Sequence, residues 1–197
     1  MPYEAIVIGV SAGGIEAMKA ILPKLPSSFP LPIAIVQHRN DRSDSFLAEY
    51  LDRMSKIAVT EAEDKEPLYG GHAYLAPAGY HLLIEPNRCF SLSVDARVNY
   101  SCPSIDVLFE SAAYAFADSL IGIVLTGANG DGAQGLKAVK SRGGLAIVQD
   151  PKSAQAAAMP SAAIQSTPVD HVVALEQIAP LLIQLTALQE EVYGTDG

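Results

Sequence analysis

Ala5-Ile6-Val7-Ile8-Gly9-Val10-Ser11-Ala12-Gly13-Gly14 decides the architecture. Its first six residues are apolar or glycine and rich in β-branched side chains, so they read as a strand buried on both faces. A serine and two glycines make the turn that follows. Ile15, Met18, Leu22 and Leu25 then recur at helical spacing and are expected to face inward. A buried strand, a tight turn and an amphipathic helix form one βα unit of a parallel sheet.

The same alternation extends along the chain. Ile33-Ala34-Ile35-Val36-Gln37 is a second strand, and Phe46, Leu47, Tyr50, Leu51 and Met54 follow at helical spacing. Ile57-Ala58-Val59-Thr60 is a short third strand. Between about 70 and 98 the pattern changes. His72-Ala73-Tyr74-Leu75-Ala76, residues 80–85 and residues 89–94 are short runs separated by Pro77-Ala78-Gly79 and Pro86-Asn87-Arg88. Such turns favour inserted antiparallel hairpins. After Pro103, Ile105, Leu108, Phe109, Ala112, Ala113 and Phe116 line one helix face, and residues 120–125 form an almost wholly apolar strand. A helix after Asp131, strands at 145–148 and 171–174, and a terminal helix with Pro180 in its first turn complete the pattern. The expected fold is α/β: a doubly wound, mostly parallel sheet with helices on both faces, in one domain spanning residues 1–197.

Composition narrows the function. The chain has 197 residues, 49% of them hydrophobic and 18% charged, with mean hydropathy +0.21. A domain of this size buries about 70% of its unfolded surface and needs no staples. The formal net charge of −9 argues against nucleic acid and anionic membranes as partners. Cys89 and Cys102 have neither metal-ligand spacing nor a disulfide framework, which fits a reducing compartment. Met1-Pro2-Tyr3-Glu4 lacks the basic start of a secretory signal. The most apolar window, residues 112–128, contains Asp118 and divides into a helix and a strand, so no membrane insertion is expected. The expected location is the cytoplasm.

Ligands of parallel α/β sheets collect beyond the carboxyl ends of the strands. Three such ends carry reactive side chains: Ser11 after the first strand, His38 after the second, and Asp131 in the glycine-rich stretch Gly127-Ala128-Asn129-Gly130-Asp131-Gly132. A serine at a helix start meets free N–H groups that can hold an oxyanion, with Gly13 and Gly14 allowing close approach. An imidazole beside it can take and return its proton, given a carboxylate to fix the tautomer. Each residue also has an ordinary use: Ser11 as a helix cap, His38 as a structural histidine like His72, His81 or His171, and Asp131 as a turn residue. Asp41, Asp44 and Asp106 compete for the carboxylate role. A dinucleotide fingerprint fails because Ser11 holds its middle glycine position and His38 its acidic one. No P-loop is present.

Val7-Ile8-Gly9-Val10-Ser11-Ala12-Gly13-Gly14, Val36-Gln37-His38, Tyr74-Leu75-Ala76-Pro77, Pro103-Ser104-Ile105-Asp106-Val107-Leu108-Phe109, Leu125-Thr126-Gly127, Gly130-Asp131-Gly132 and Met159-Pro160 occur in that order. Together they resemble the catalytic domain of the chemotaxis-type protein-glutamate methylesterases, over about residues 5–185. The resemblance implies a Ser–His–Asp triad at Ser11, His38 and Asp131, without a cofactor or metal. It implies hydrolysis of glutamate methyl esters on chemoreceptor-like signalling proteins, with deamidation of glutamines as a companion activity. Ala12, Gly13 and Ala128 fall in the implied oxyanion and substrate loops. The sequence departs from the family at Ala12 (usually threonine), Ala128 (usually methionine), Asn129 (usually glycine) and Arg39-Asn40 (usually methionine and proline). Family members also carry an N-terminal receiver domain, whereas four residues precede the first strand here. The expectation is a stand-alone enzyme, with a separate receiver or sensor kinase as its regulatory partner. The competing expectation is a catalytically silent interaction module of the same fold.

Overall fold

The order in which the chain visits its strands determines where a ligand can sit. A computed structural model describes residues 2–38 and 46–193, with side chains through residue 187. The first strand, β1 (Ala5–Val10), is buried at every residue, as its unbroken apolar run predicts. It is followed by α1 (Gly14–Ile21), β2 (Ile33–Gln37), α2 (Phe46–Met54), β3 (Ala58–Glu61) and β4 (His72–Leu75). Next come β5 (His81–Ile84), β6 (Phe90–Ser93) and α3 (Ile105–Phe116). The chain ends with β7 (Leu120–Val124), α4 (Ala133–Ser141), β8 (Leu145–Gln149), α5 (Ala158–Ser166), β9 (His171–Val173) and α6 (Leu175–Tyr193).

The main sheet has the order β3-β4-β2-β1-β7-β8-β9, and every pairing in it is parallel. The chain winds outward from β1 through β2, then crosses to β1's other edge at β7. That reversal opens a crevice above the carboxyl ends of β1 and β7. In the register, Val10 faces Gln37 and Gly9 faces Val124. Ser11 and His38 therefore leave neighbouring strands side by side.

Apolar side chains project from both faces of the sheet. On one face Ile6, Ile8 and Val10 join Met18 and Ile21 of α1 and Ile178 and Leu182 of α6. On the other, Val7, Val36 and Val124 meet α3 and α4. The six α3 positions picked out by periodicity, Ile105, Leu108, Phe109, Ala112, Ala113 and Phe116, are all buried. Each large apolar side chain buried in this way contributes about 1.5–3 kcal/mol.

The fold class agrees with the sequence reading, and four local features differ. The antiparallel pair is only β5 with β6. His72–Leu75 joins the parallel sheet between β2 and β3, because Ala73, Tyr74 and Leu75 are buried and fit an interior strand. Ile15 is 47% exposed, since Gly14, Ala17, Met18 and Ile21 form the buried stripe of α1. Pro180 lies inside α6 rather than in its first turn, because the helix begins at Leu175. α5, which contains Met159-Pro160, was not foreseen; it is short and weakly amphipathic. Among the described residues, no helix is long and apolar enough to cross a membrane.

Candidate active site

Ser11 sits in the turn from β1 into α1, held by backbone bonds. Its N–H donates to the Thr126 carbonyl at 2.9 Å, and the Gly14 N–H donates to the Ser11 carbonyl at 2.9 Å. Gly13 takes φ +81, a left-handed conformation that glycine adopts without steric penalty. Thr126, directly after β7, also donates its hydroxyl to the Ala12 carbonyl at 2.7 Å. The Ser11 turn is thus fastened to the neighbouring strand end. Among the described residues, none accepts a hydrogen bond from the N–H of Ala12, Gly13 or Ala128. Ala12 and Ala128 are both exposed. A cleft of about 280 Å³ opens beside Ser11, lined by Gly13, Ile15, Glu16, Gln37 and Gln155 as well.

His38 and Asp131 are directly joined. The His38 Nε2 lies 2.7 Å from Asp131 Oδ2, with the carboxylate wholly buried and the imidazole side chain 12% exposed. An ionised carboxylate only accepts, so Nε2 carries the shared proton, and Nδ1 has no partner among the described residues. Asp131 takes further hydrogen bonds from Asn99 Nδ2 (2.9 Å), Ser104 Oγ (2.9 Å), Ile105 N–H (2.7 Å) and Asp106 N–H (3.2 Å). Burial alone pushes its pKa up, but hydrogen bonds from His38, Asn99 and Ile105 outweigh that and hold it at about 2. The two backbone donors open α3, so the carboxylate also meets the positive end of that helix.

Small residues make this contact possible. Ile105, at the start of α3, packs against Gly9 of β1 and Gly132 at the start of α4. A Cβ on Gly9 would overlap the Ile105 side chain, and one on Gly132 would come within 2.8 Å of it. The end of α3 therefore settles directly over the crevice, with its N–H groups aimed at Asp131. Asn129 accepts the Asp131 N–H on its Oδ1 at 3.2 Å and closes the turn before the carboxylate.

Asp106, the competing carboxylate among the described residues, serves a different end. Its Oδ1 accepts the N–H of Gly132 (2.9 Å) and Gly135 (2.7 Å) at the start of α4, and its Oδ2 accepts from Asn99 Nδ2 at 2.8 Å. Burial raises its pKa, and the nearby Asp131 charge adds to the rise against those hydrogen bonds. Asp41, Asp44 and Arg39-Asn40 lie outside the described residues. His81 is buried, with Nδ1 accepting the Ser104 N–H (3.2 Å) and Nε2 facing the Ala96 carbonyl (3.1 Å), so it pins the loop before α3. His72 stacks on Tyr74, and His171 lies in the edge strand β9.

Three of the site residues expected from sequence, Ser11, His38 and Asp131, lie along the crevice rim. Two are hydrogen-bonded to each other; none joins Ser11 Oγ to His38. Asn99 was missed. It bridges both aspartates from a tight turn in which Asn99 and Tyr100 take φ 51 and 63, closed by paired backbone bonds between Val98 and Ser101. The only signal in the sequence was an asparagine, a residue that tolerates this conformation.

A doubly wound parallel sheet with a serine, a histidine and a buried carboxylate on one rim has the layout of a serine hydrolase. Comparison with known proteins narrows this class. The family model for CheB methylesterase matches residues 6–182. A Leptospira interrogans protein, provisionally named a protein-glutamate methylesterase/protein-glutamine glutaminase, is 58% identical over 94% of this chain and 96% of its own. A Carboxydothermus hydrogenoformans protein-glutamate methylesterase/protein-glutamine glutaminase is 41% identical over 89% of this chain, which spans 53% of that relative. The crystal structure of the Thermotoga maritima CheB methylesterase catalytic domain superposes with a TM-score of 0.90 at 34% identity, covering 94% of this chain and all of that one. The chain belongs to the CheB methylesterase family.

Proposed function

We propose that this chain is a serine hydrolase that demethylates glutamate methyl esters on proteins, with Ser11 as nucleophile, His38 as base and acid, and Asp131 as the orienting carboxylate. The observation that carries this reading is the 2.7 Å contact between His38 and the buried Asp131, on the strand end beside Ser11. Because Nε2 is taken by Asp131, Nδ1 accepts the Ser11 proton as Oγ attacks the ester carbonyl. The free N–H groups of Ala12, Gly13 and Ala128 are the donors available to the resulting oxyanion. Collapse breaks the C–O bond, and the proton on Nδ1 leaves with the methoxy group as methanol. A water then attacks the glutamyl–serine ester, loses its proton to Nδ1, and frees the glutamate and Ser11. The same steps on a glutamine release ammonia, which is the companion deamidase activity.

The substrate in this reading is a methylated chemoreceptor or related signalling protein, in line with the family. The regulator is a separate receiver or sensor kinase. The test is methanol release from such a receptor together with labelling by a fluorophosphonate. Ser11→Ala is expected to abolish labelling and to lower turnover by about 10⁴-fold or more, with an unchanged melting temperature. Turnover retained in that variant removes Ser11 as the nucleophile, whereas a native chain that neither labels nor releases methanol points to the silent interaction module.

A further inference from the structure

Val36-Gln37-His38 contains one residue that this chemistry leaves unused. Gln37 ends β2 and is 8% exposed. Its Nε2 donates one hydrogen to the Ser11 carbonyl at 3.0 Å and the other to the His38 carbonyl at 2.8 Å. Its Oε1 is buried without a hydrogen-bond partner and rests against Gly14, where a Cβ would overlap it. The position a Cβ would take on Gly14 is filled by this amide, while Gly14 also lines the cleft beside Ser11.

We infer that Gln37 is a positioning residue whose amide sets the spacing between the backbones of Ser11 and His38. The parallel ladder between β1 and β2 ends where the His38 N–H reaches the Val10 carbonyl at 3.0 Å. Among the described residues, no backbone bond joins the strand ends beyond that point. The Gln37 amide continues the ladder one step further, between the two residues that must meet. Two converging carbonyl oxygens require a group with two hydrogens on one atom; a carboxylate would repel both, and an apolar side chain would bond neither. A residue present only to fill the space would not leave a buried acceptor unpaired, which is unfavourable. Gly14 completes the arrangement, since only a residue without a Cβ leaves room for Oε1.

This inference rests on Ser11 and His38 being nucleophile and base, and its test separates the two. The full chain is labelled with a fluorophosphonate, and the saturating rate, the half-saturating concentration and the final stoichiometry are measured. Gln37→Met keeps the volume and removes both hydrogens. It is expected to label fully at Ser11 and to bind the probe within about twofold of native, while its saturating rate falls about 10- to 100-fold, as for misplaced reacting groups. A merely structural defect would instead lower the stoichiometry and spare the rate of the folded fraction. Gly14→Ala displaces the amide by a second route and suits a helix start. It is expected to slow labelling similarly in the native background, and by clearly less beside Gln37→Ala, where only the Val10 contact at 2.8 Å remains. A native rate in Gln37→Met overturns the inference, as does an equal effect of Gly14→Ala with and without Gln37. Should Gln37→Met fail to fold, a native rate in Gly14→Ala does the same. If the native chain never labels, the reading of Ser11 fails and the inference falls with it; labelling at native rate in the variants removes the inference alone.

Discussion

Asp131 and Asp106 each cap the helix that begins beside the other. Asp131, just before α4, accepts the first N–H groups of α3, while Asp106, in the first turn of α3, accepts the N–H groups that open α4. Asn99 ties the pair, giving one amide hydrogen to each at 2.9 and 2.8 Å. The carboxylate bonded to His38 is therefore part of the joint between two helices.

The two aspartates should separate on mutation. Asp131→Asn places an amide where five donors converge, and the amide's own hydrogens face N–H groups. Turnover is expected to fall about 10⁴-fold, as when an orienting aspartate loses its charge. Asp106→Asn keeps His38 bonded to Asp131 and leaves an amide oxygen to cap α4, but turns its own NH2 against that of Asn99, costing about 1–2 kcal/mol and a few degrees of melting temperature. Methanol release and thermal melts of both variants check this; equal loss of turnover would show that Asp106 also acts on the chemistry.

Acid should reveal Asp131 in the stability of the fold. Its pKa falls from 3.8 to about 2 on folding, so its contribution is complete above about pH 4 and disappears as pH drops through about 2. A shift of that size corresponds to about 2 kcal/mol. Asp106 shifts the other way, so its contribution is present at low pH and lost as pH rises, which flattens the native profile. Urea unfolding at pH 5, 3.5 and 2.5 should show a steeper acid loss in Asp106→Asn than in the native chain. A flat profile in both removes the Asp131 assignment.

Asn99 predicts a charge effect. Asn99→Asp puts a third carboxylate against two, so the variant should be destabilised by about 2 kcal/mol or more at pH 7 and by less at pH 4, where protonation relieves the repulsion. Asn99→Ala removes the shared donor and should show no such recovery. Unfolding curves at the two pH values distinguish them.

The geometry also assigns a tautomer. In nitrogen–proton correlation spectra of the native chain, the His38 Nε2 should carry the proton and Nδ1 should be bare; Asp131→Ala should remove the preference and Ser11→Ala should retain it. A proton on Nδ1 in the native chain would reverse the roles given to the two nitrogens.

Tyr100 is 96% exposed in a left-handed conformation. Tyr100→Gly should relieve about 1 kcal/mol of backbone strain and raise the melting temperature by about 2–4 °C. A loss of receptor demethylation alongside that gain, with small-ester hydrolysis intact, would identify the tyrosine as a contact for the protein substrate.

Much of this molecule was legible in its sequence because parallel sheets write themselves in continuous apolar runs. β1, β2 and β7 were placed within a residue, and the six buried apolar positions of α3 were all identified. Local pattern misled where burial depends on neighbours. His72–Leu75 is as short as the hairpin strands after it, and only its position between β2 and β3 makes it parallel. Ile15 has the spacing of a core residue but faces the cleft. The placing of Ser11, His38 and Asp131 on one rim was readable because strand ends follow from the apolar runs before them. The contacts of Asn99 and Gln37 were not, since each joins a near partner to one distant in the chain, Asp131 for Asn99 and Ser11 for Gln37.

The mutual capping of α3 and α4 has a consequence for biosynthesis. Neither helix start is complete until both have docked, and the imidazole has no fixed orientation before then. A nascent or damaged polypeptide therefore lacks the joined His38 and Asp131 side chains. Their pairing arrives only with closure of the finished molecule, which makes it a built-in gauge of the fold's integrity.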